Sequence, residues 1–328
     1  MTLSSLGTPK FRLVRLTVAF LSFVSVSSCS SDRSTLLAPN RPTLFASYSA
    51  PVWHPSGKAI MFDHEPLVTA YWDTANGRYV QVFAESLSGF WMVKADGSGQ
   101  HRIVSRFIDD PDWDAAGTTL AYGSSGTIFT VSGSDTGLMM DTAREIGSGA
   151  SSPSWSPDGS SIAGSWDSGI EILSLSGSAR RTIGEPGWRQ PDWSPHGDSL
   201  LFLVPKMDRT EIGVADSIGQ GLRILWGQSE SNAWYPKWSP DGSKIAFTGR
   251  ANNSDLANRL WVMDSNGANA HRLTTEGILG FFSWSPDGSE IAYVRMNLGD
   301  TSLSNGTIWI VNVTSGAKRQ LTFNTSLN

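Results

Sequence analysis

PKWSPDGSKIAF (residues 236–247) decides the fold of this 328-residue chain, because versions of it recur along the whole length. The related stretches are PVWHPSG (51–57), PDWDAAG (111–117), PSWSPDG (153–159), PDWSPHG (191–197) and FFSWSPDG (281–288). Their tryptophans are Trp53, Trp113, Trp155, Trp193, Trp238 and Trp284, separated by 60, 42, 38, 45 and 46 residues. A period of about 40 residues built from short strands and turns marks a propeller or solenoid.

Each tryptophan leads through a tight turn into an apolar, β-prone run, such as SIAGS (161–165), KIAFTG (244–249) or EIAYVR (290–295). In Ser239-Pro240-Asp241-Gly242 the proline presets φ at the second turn position, and glycine takes a place that tolerates left-handed geometry. A second half follows, for example GIEILSLSGSARRTI (169–183) and RLWVMDSNGANAHRLT (259–274): a strand, a glycine turn, and a shorter strand with basic residues near its start. Period-two alternation with regularly spaced turns reads as antiparallel β-structure. The expected fold is all-β, a six-bladed β-propeller of four-stranded antiparallel blades over residues 49–328. The six tryptophans are assigned structural roles, as flat side chains filling the wedge between blades.

P-x-W-S-P-D-G-x-x-I-A-F followed by L-W-V-M-D-x-x-G-x-x-x-x-L-T resembles the WD40-like propeller repeat (PD40) of the TolB family. The likeness is best at 236–247 with 260–274, and at 284–293 with 308–322. It weakens in the first two repeats, where His54-Pro55-Ser56-Gly57 and Asp114-Ala115-Ala116-Gly117 replace S-P-D-G. The resemblance implies the propeller. It leaves no room for the α/β domain that precedes the propeller in that family, and it does not by itself imply the Tol-Pal partnership.

Residues 1–28 read as a lipoprotein signal peptide: Lys10, Arg12 and Arg15, an apolar stretch from 16 to 26, then Ser27-Ser28 before Cys29. Cys29 is the single cysteine of the chain, placed where a lipobox cysteine is acylated. Residues 29–48, rich in Ser, Pro and Asn, read as a tether. Their end, 43–47, is expected to add a strand to the final blade. Ser30 after the cysteine resembles outer-membrane sorting, so the expected location is the bacterial cell envelope, as an outer-membrane lipoprotein facing the periplasm or the cell surface.

Without residues 1–28 the chain carries 22 Lys and Arg against 30 Asp and Glu. That acidic balance argues against nucleic acid as a partner. No G-x-S-x-G elbow, H-E-x-x-H, phosphate loop or C-x-x-C occurs. Of the histidines, His54 and His196 fall in turns, His101 and His271 begin fourth strands, and His64-Glu65 opens an insertion. Neither a metal site nor a cofactor is expected, and no catalytic residue is assigned. The residues before the tryptophans are Val52, Asp112, Ser154, Asp192, Lys237 and Ser283, and Asp192 and Lys237 are expected to pair across neighbouring blades.

The informative irregularity is the insertion at 64–89, with Tyr71, Trp72, Tyr79 and Phe83 as candidate partner-binding residues and Asn76-Gly77 as a hairpin turn. The functional expectation is a monomeric, lipid-anchored, non-enzymatic scaffold that binds an envelope protein or glycan. The alternatives are a propeller-type carbohydrate lyase or hydrolase, and a Tol-Pal accessory.

Overall fold

The computed structural model describes residues 45–73, 78–176, 179–227, 231–252, 255, 257–296 and 306–323. The chain divides into units 1–41 and 42–328, and every described residue lies in the second. Cys29 and Asn76-Gly77 therefore lie outside the described residues.

The described residues form antiparallel sheets arranged as propeller blades. The first sheet holds β1 (Phe45–Trp53), β2 (Ala59–Asp73), β4 (Gly89–Lys94) and β5 (His101–Val104) in that spatial order, while β3 (Arg78–Phe83) pairs with the far end of β2. The second repeat follows the same plan with Asp109–Trp113, Thr119–Ser124, Thr127–Ser134 and Arg144–Ser148, plus a short Gly137–Leu138 strand. The third and sixth are plain four-stranded sheets ending in Arg180–Ile183 and Lys318–Gln320.

Five sheets are observed where the sequence led us to expect six separate ones of four strands. The fourth and fifth repeats share one eight-stranded sheet, because a single parallel bridge, Thr210 to Asn232, joins two otherwise antiparallel runs. A second correction concerns the start of the propeller. β1 begins at Phe45, inside the segment read as tether, and pairs with β2 of its own repeat rather than adding to the final blade.

The local chemistry of the repeat explains the turns. Ser239 N–H bonds Lys244 O and Gly242 N–H bonds Ser239 O, each at 2.9 Å, with Gly242 at φ +70°. Ser239 Oγ donates to Asp241 Oδ1 (2.6 Å) and accepts from Lys244 N–H (2.9 Å). Ser156 and Ser285 repeat that network with Asp158 and Asp287. Where His196 replaces the aspartate, Ser194 Oγ turns to Asp198 instead (2.7 Å).

Six apolar clusters lie between successive repeats. Trp113 sits among Met61, Phe90 and Met92 of the first repeat and Leu120, Tyr122 and Val131 of the second. Trp284 sits likewise between the fifth and sixth, with Leu260 and Val262 on one side and Tyr293 and Val311 on the other. Trp53 meets Ile60 and Phe62 of its own repeat and Ala292, Ile308 and Ile310 of the last, so this cluster packs the first repeat against the sixth. Trp53, Trp113, Trp155 and Trp284 are buried, whereas Trp193 and Trp238 are half-buried. Trp284 Nε1–H donates to Lys237 O at 3.3 Å; the other five indole N–H groups are buried with no hydrogen-bond partner among the described residues.

Candidate functional site

The innermost strand of every repeat carries the same defect. Three residues before the tryptophan (four in the sixth repeat) the backbone turns left-handed: Ala50 (φ 48°), Asp110 (47°), Ser152 (52°), Gln190 (53°), Tyr235 (52°) and Gly280 (45°). At each of these points the pairing register slips against the next strand, as in a β-bulge. Five of the six are not glycine, and all five precede a proline, which disfavours α-type geometry in the residue before it. Such conformations cost about 1–3 kcal/mol each and gather at functional sites.

These residues surround one cavity. It is lined by Ala50-Pro51, Asp110-Pro111, Ser152-Pro153, Gln190-Pro191, Tyr235-Pro236-Lys237 and Phe281-Phe282, one group from each repeat, which identifies it as the mouth of the central channel. Its volume of about 50 Å³ holds only a few waters. Small-molecule sites usually run to about 300–1,000 Å³, several times this volume.

Two tiers of hydrogen bonds tie the repeats together around it. In the deeper tier the residue before one tryptophan accepts the backbone N–H of the next: Trp155 to Asp112 (2.8 Å), Trp193 to Ser154 (3.1 Å), Trp238 to Asp192 (2.7 Å) and Trp53 to Ser283 (3.0 Å). Val52 and Lys237 hold the equivalent places and have no side-chain acceptor. In the upper tier Ser152 Oγ donates to Asp110 (2.8 Å), and Tyr235 N–H donates to the Gln190 side-chain oxygen (2.7 Å).

The charged residues of the mouth come from the second, fourth and fifth repeats. Lys237 Nζ is 2.9 Å from Asp192 Oδ1 and 3.8 Å from Asp112 Oδ1. The Asp192–Lys237 pair anticipated from the sequence forms, and Asp112 joins it. Burial pushes the Asp112 carboxyl up to about 6, against the pull of Lys237. Burial likewise raises Asp110 and Asp192. For Lys237 burial works against the charged form, but Asp192 and Asp112 outweigh it and hold the ammonium above its ordinary range. Asp112 and Asp192 thus share one ammonium, and Asp110 adds to the field that holds its charge.

The insertion rises beside this mouth. Ser49 pairs with Asp63 and Phe45 with Leu67, so β2 leaves the blade at the end where the left-handed residues lie. Beyond Leu67 it continues in a hairpin with β3, setting Tyr71 opposite Val80 and Trp72 opposite Tyr79 in register. Phe83 is half-buried, and the side chains of Tyr71, Trp72 and Tyr79 lie outside the described residues. Sequence reasoning missed the mouth residues themselves. The signal was present, as a varying residue before a repeated proline.

The histidines have local roles. His54 Nε2 bonds Gly117 O (2.9 Å) and its ring meets Trp113 edge-on. His101 and His271 each bond the carbonyl two residues earlier, Gly99 (2.8 Å) and Asn269 (2.9 Å), and buried His64 stacks on Tyr48. No group of three or more metal-ligating side chains occurs among the described residues. Among them, no helix is long and apolar enough to cross a membrane.

Comparison with known proteins gives a consistent picture. A family model described as the TolB beta propeller domain matches residues 129–328. The Tol-Pal system protein TolB of Anaeromyxobacter dehalogenans (strain 2CP-C) is 35% identical over 86 residues, 26% of this chain and 19% of that protein. The match thus spans about a fifth of the relative's length. In three dimensions the chain resembles TolB from Acinetobacter baumannii at a TM-score of 0.59, with 17% identity over 80% of this chain and 76% of that one. An oligogalacturonate lyase in complex with manganese aligns at 0.54, with 11% identity over 85% and 78% of the two chains. At these identities the structural likeness establishes the fold alone.

Proposed function

The chain belongs to the TolB β-propeller family, and on that premise we propose that it is a cell-envelope scaffold which binds a protein partner over the channel mouth of a six-bladed ring. The observation that carries this reading is the circle of strained, left-handed residues around a mouth too small for a glycan and lined with prolines, Tyr235, Phe281 and the Asp110 carboxylate. The backbone there is held in costly geometry by both hydrogen-bond tiers, as expected of a preformed contact surface. The hairpin at the rim offers Tyr71, Trp72, Tyr79 and Phe83 as further contacts, since aromatic residues are favoured interface anchors. Acylation at Cys29 would tether the scaffold to the membrane, with residues 30–44 as the leash. A Tol-Pal accessory role is the second reading, favoured by the name of the curated relatives. A lyase or hydrolase has less support, because a cavity of about 50 Å³ does not admit a sugar chain.

The test is capture from envelope extract with the tagged full chain, beside Asp110→Lys and a variant whose residues 66–81 are replaced by an Asn-Gly turn. We expect one protein to be retained by the native chain and lost with Asp110→Lys, while far-ultraviolet circular dichroism shows that the variant remains folded. Identical captured proteins with native and Asp110→Lys chains would place the contact away from the mouth.

A further inference from the structure

The outer edge of a blade is a row of unpaired backbone groups, and this protein guards it in a uniform way. The outermost strands begin with His101-Arg102, Arg144, Arg180-Arg181, Arg223, His271-Arg272 and Lys318-Arg319, all exposed. Basic side chains on an edge discourage pairing with another chain. The rule holds in all six repeats.

β3 breaks it. Its sequence is Arg78-Tyr79-Val80-Gln81-Val82-Phe83, with one charge at the turn end and none beyond. Four of the six, Tyr79, Val80, Val82 and Phe83, are strong β-formers, and with low charge and no Pro or Gly that is the composition of a pairing-prone strand. β3 pairs with β2 on one side, and no described strand lies on the other. From Thr69 to Asp73, β2 in turn pairs with no described strand but β3. Val82 is 40% exposed and belongs to none of the apolar clusters. A two-stranded ribbon is marginal alone and gains from a third strand.

We propose that β3 is a self-association edge, at which two copies of the chain join by antiparallel pairing of β3 with β3. The sequence of the strand is complementary to itself in that arrangement. Pairing centred between Val80 and Gln81 sets Tyr79 opposite Val82, Arg78 opposite Phe83 and Val80 opposite Gln81. Aromatic against β-branched is a favoured cross-strand pair, and no like charges meet. The two Arg78 residues fall at opposite ends, about 17 Å apart at strand rise. A six-residue edge buries far less than the roughly 1,600 Å² of a standard interface. The dimer is therefore weak and concentration-dependent, in place of the expected monomer.

Sedimentation velocity tests this on the full chain carrying Cys29→Ser, which removes acylation as a cause of association. The sedimentation coefficient should climb toward that of a dimer as concentration rises. Val82→Lys, which gives this edge the guard the others carry, should abolish the climb without moving the thermal midpoint, while Val82→Ile should retain it. Hydrogen exchange on the same chain without the Val82 changes supplies a second measurement, with the β3 amides gaining protection as concentration increases. A flat sedimentation coefficient at the highest concentration, a dimer that survives Val82→Lys, or β3 protection independent of concentration would each overturn the proposal.

Discussion

Asp192 joins two devices that hold neighbouring repeats together, and its removal gives a quantitative test of how the ring is braced. Oδ2 accepts the Trp238 N–H at 2.7 Å and Oδ1 meets Lys237 Nζ at 2.9 Å, with the carboxylate side chain only 11% exposed. Asp192→Ala leaves a backbone donor unsatisfied, at about 1–3 kcal/mol. It also strands an ammonium, and breaking a buried pair costs about 3–5 kcal/mol. The second figure is reduced here, because Asp112 remains 3.8 Å away and Lys237 is 30% exposed. We therefore expect about 4 kcal/mol for Asp192→Ala in total. Asp192→Asn keeps an acceptor for Trp238 and should cost about 2 kcal/mol, so the Ala–Asn difference isolates the backbone contact. Combining Asp192→Asn with Lys237→Met removes both charges, and the double variant should be more stable than the sum of the singles by about 2 kcal/mol. Urea unfolding at neutral pH, compared at constant m, measures all four chains. A loss below about 1 kcal/mol for Asp192→Ala, or equal values for Ala and Asn, would refute the bracing role.

Three further outcomes follow from the same geometry. Trp113→Ala should cost about 3–5 kcal/mol, since Trp113 is buried between two repeats, and half-buried Trp238→Ala should cost distinctly less; equal losses in urea would contradict the packing described. Two opposed pH limbs are expected: Asp112, raised from 3.8 to about 6 by burial, contributes most below 3.8 and loses that contribution progressively as pH rises from 3.8 to about 6. At Glu276 burial is outweighed by hydrogen bonds from Lys318 and Tyr293, which bring the carboxyl to about 2, so its contribution is present above the ordinary range and lost as pH falls toward 2. Asp112→Asn should flatten the first limb and Glu276→Gln the second, as read from thermal midpoints across pH. Cys29→Ala should shift the chain from the detergent phase to the aqueous phase, and continued partitioning into detergent would dismiss the lipid anchor.

The repeat architecture was legible because it rests on local chemistry. Pro240, Asp241 and Gly242 specify their turn whatever surrounds them, and the apolar run after each turn alternates with the period of a strand. The Asp192–Lys237 pair could also be anticipated, since two repeat-equivalent positions in adjacent repeats must face each other. The mouth could not. Five of its six left-handed residues are Ala, Asp, Ser, Gln and Tyr, types with no common preference for that conformation, and only the bulge against the next strand places them there. Nor does any sequence pattern show that Asp112 lies close enough to share the ammonium, because ring closure alone brings the second repeat across to the fifth. The same holds for the end of the tether: Phe45 to Tyr48 extend a strand because β2 runs on past the blade to receive them, a condition set by residues 64–67 and not by their own composition. Sequence by itself determined the strands, the turns and their period. Tertiary structure decided which carboxylates meet, where the backbone is strained and which strand edge is left open, since each depends on contacts between segments far apart in the chain.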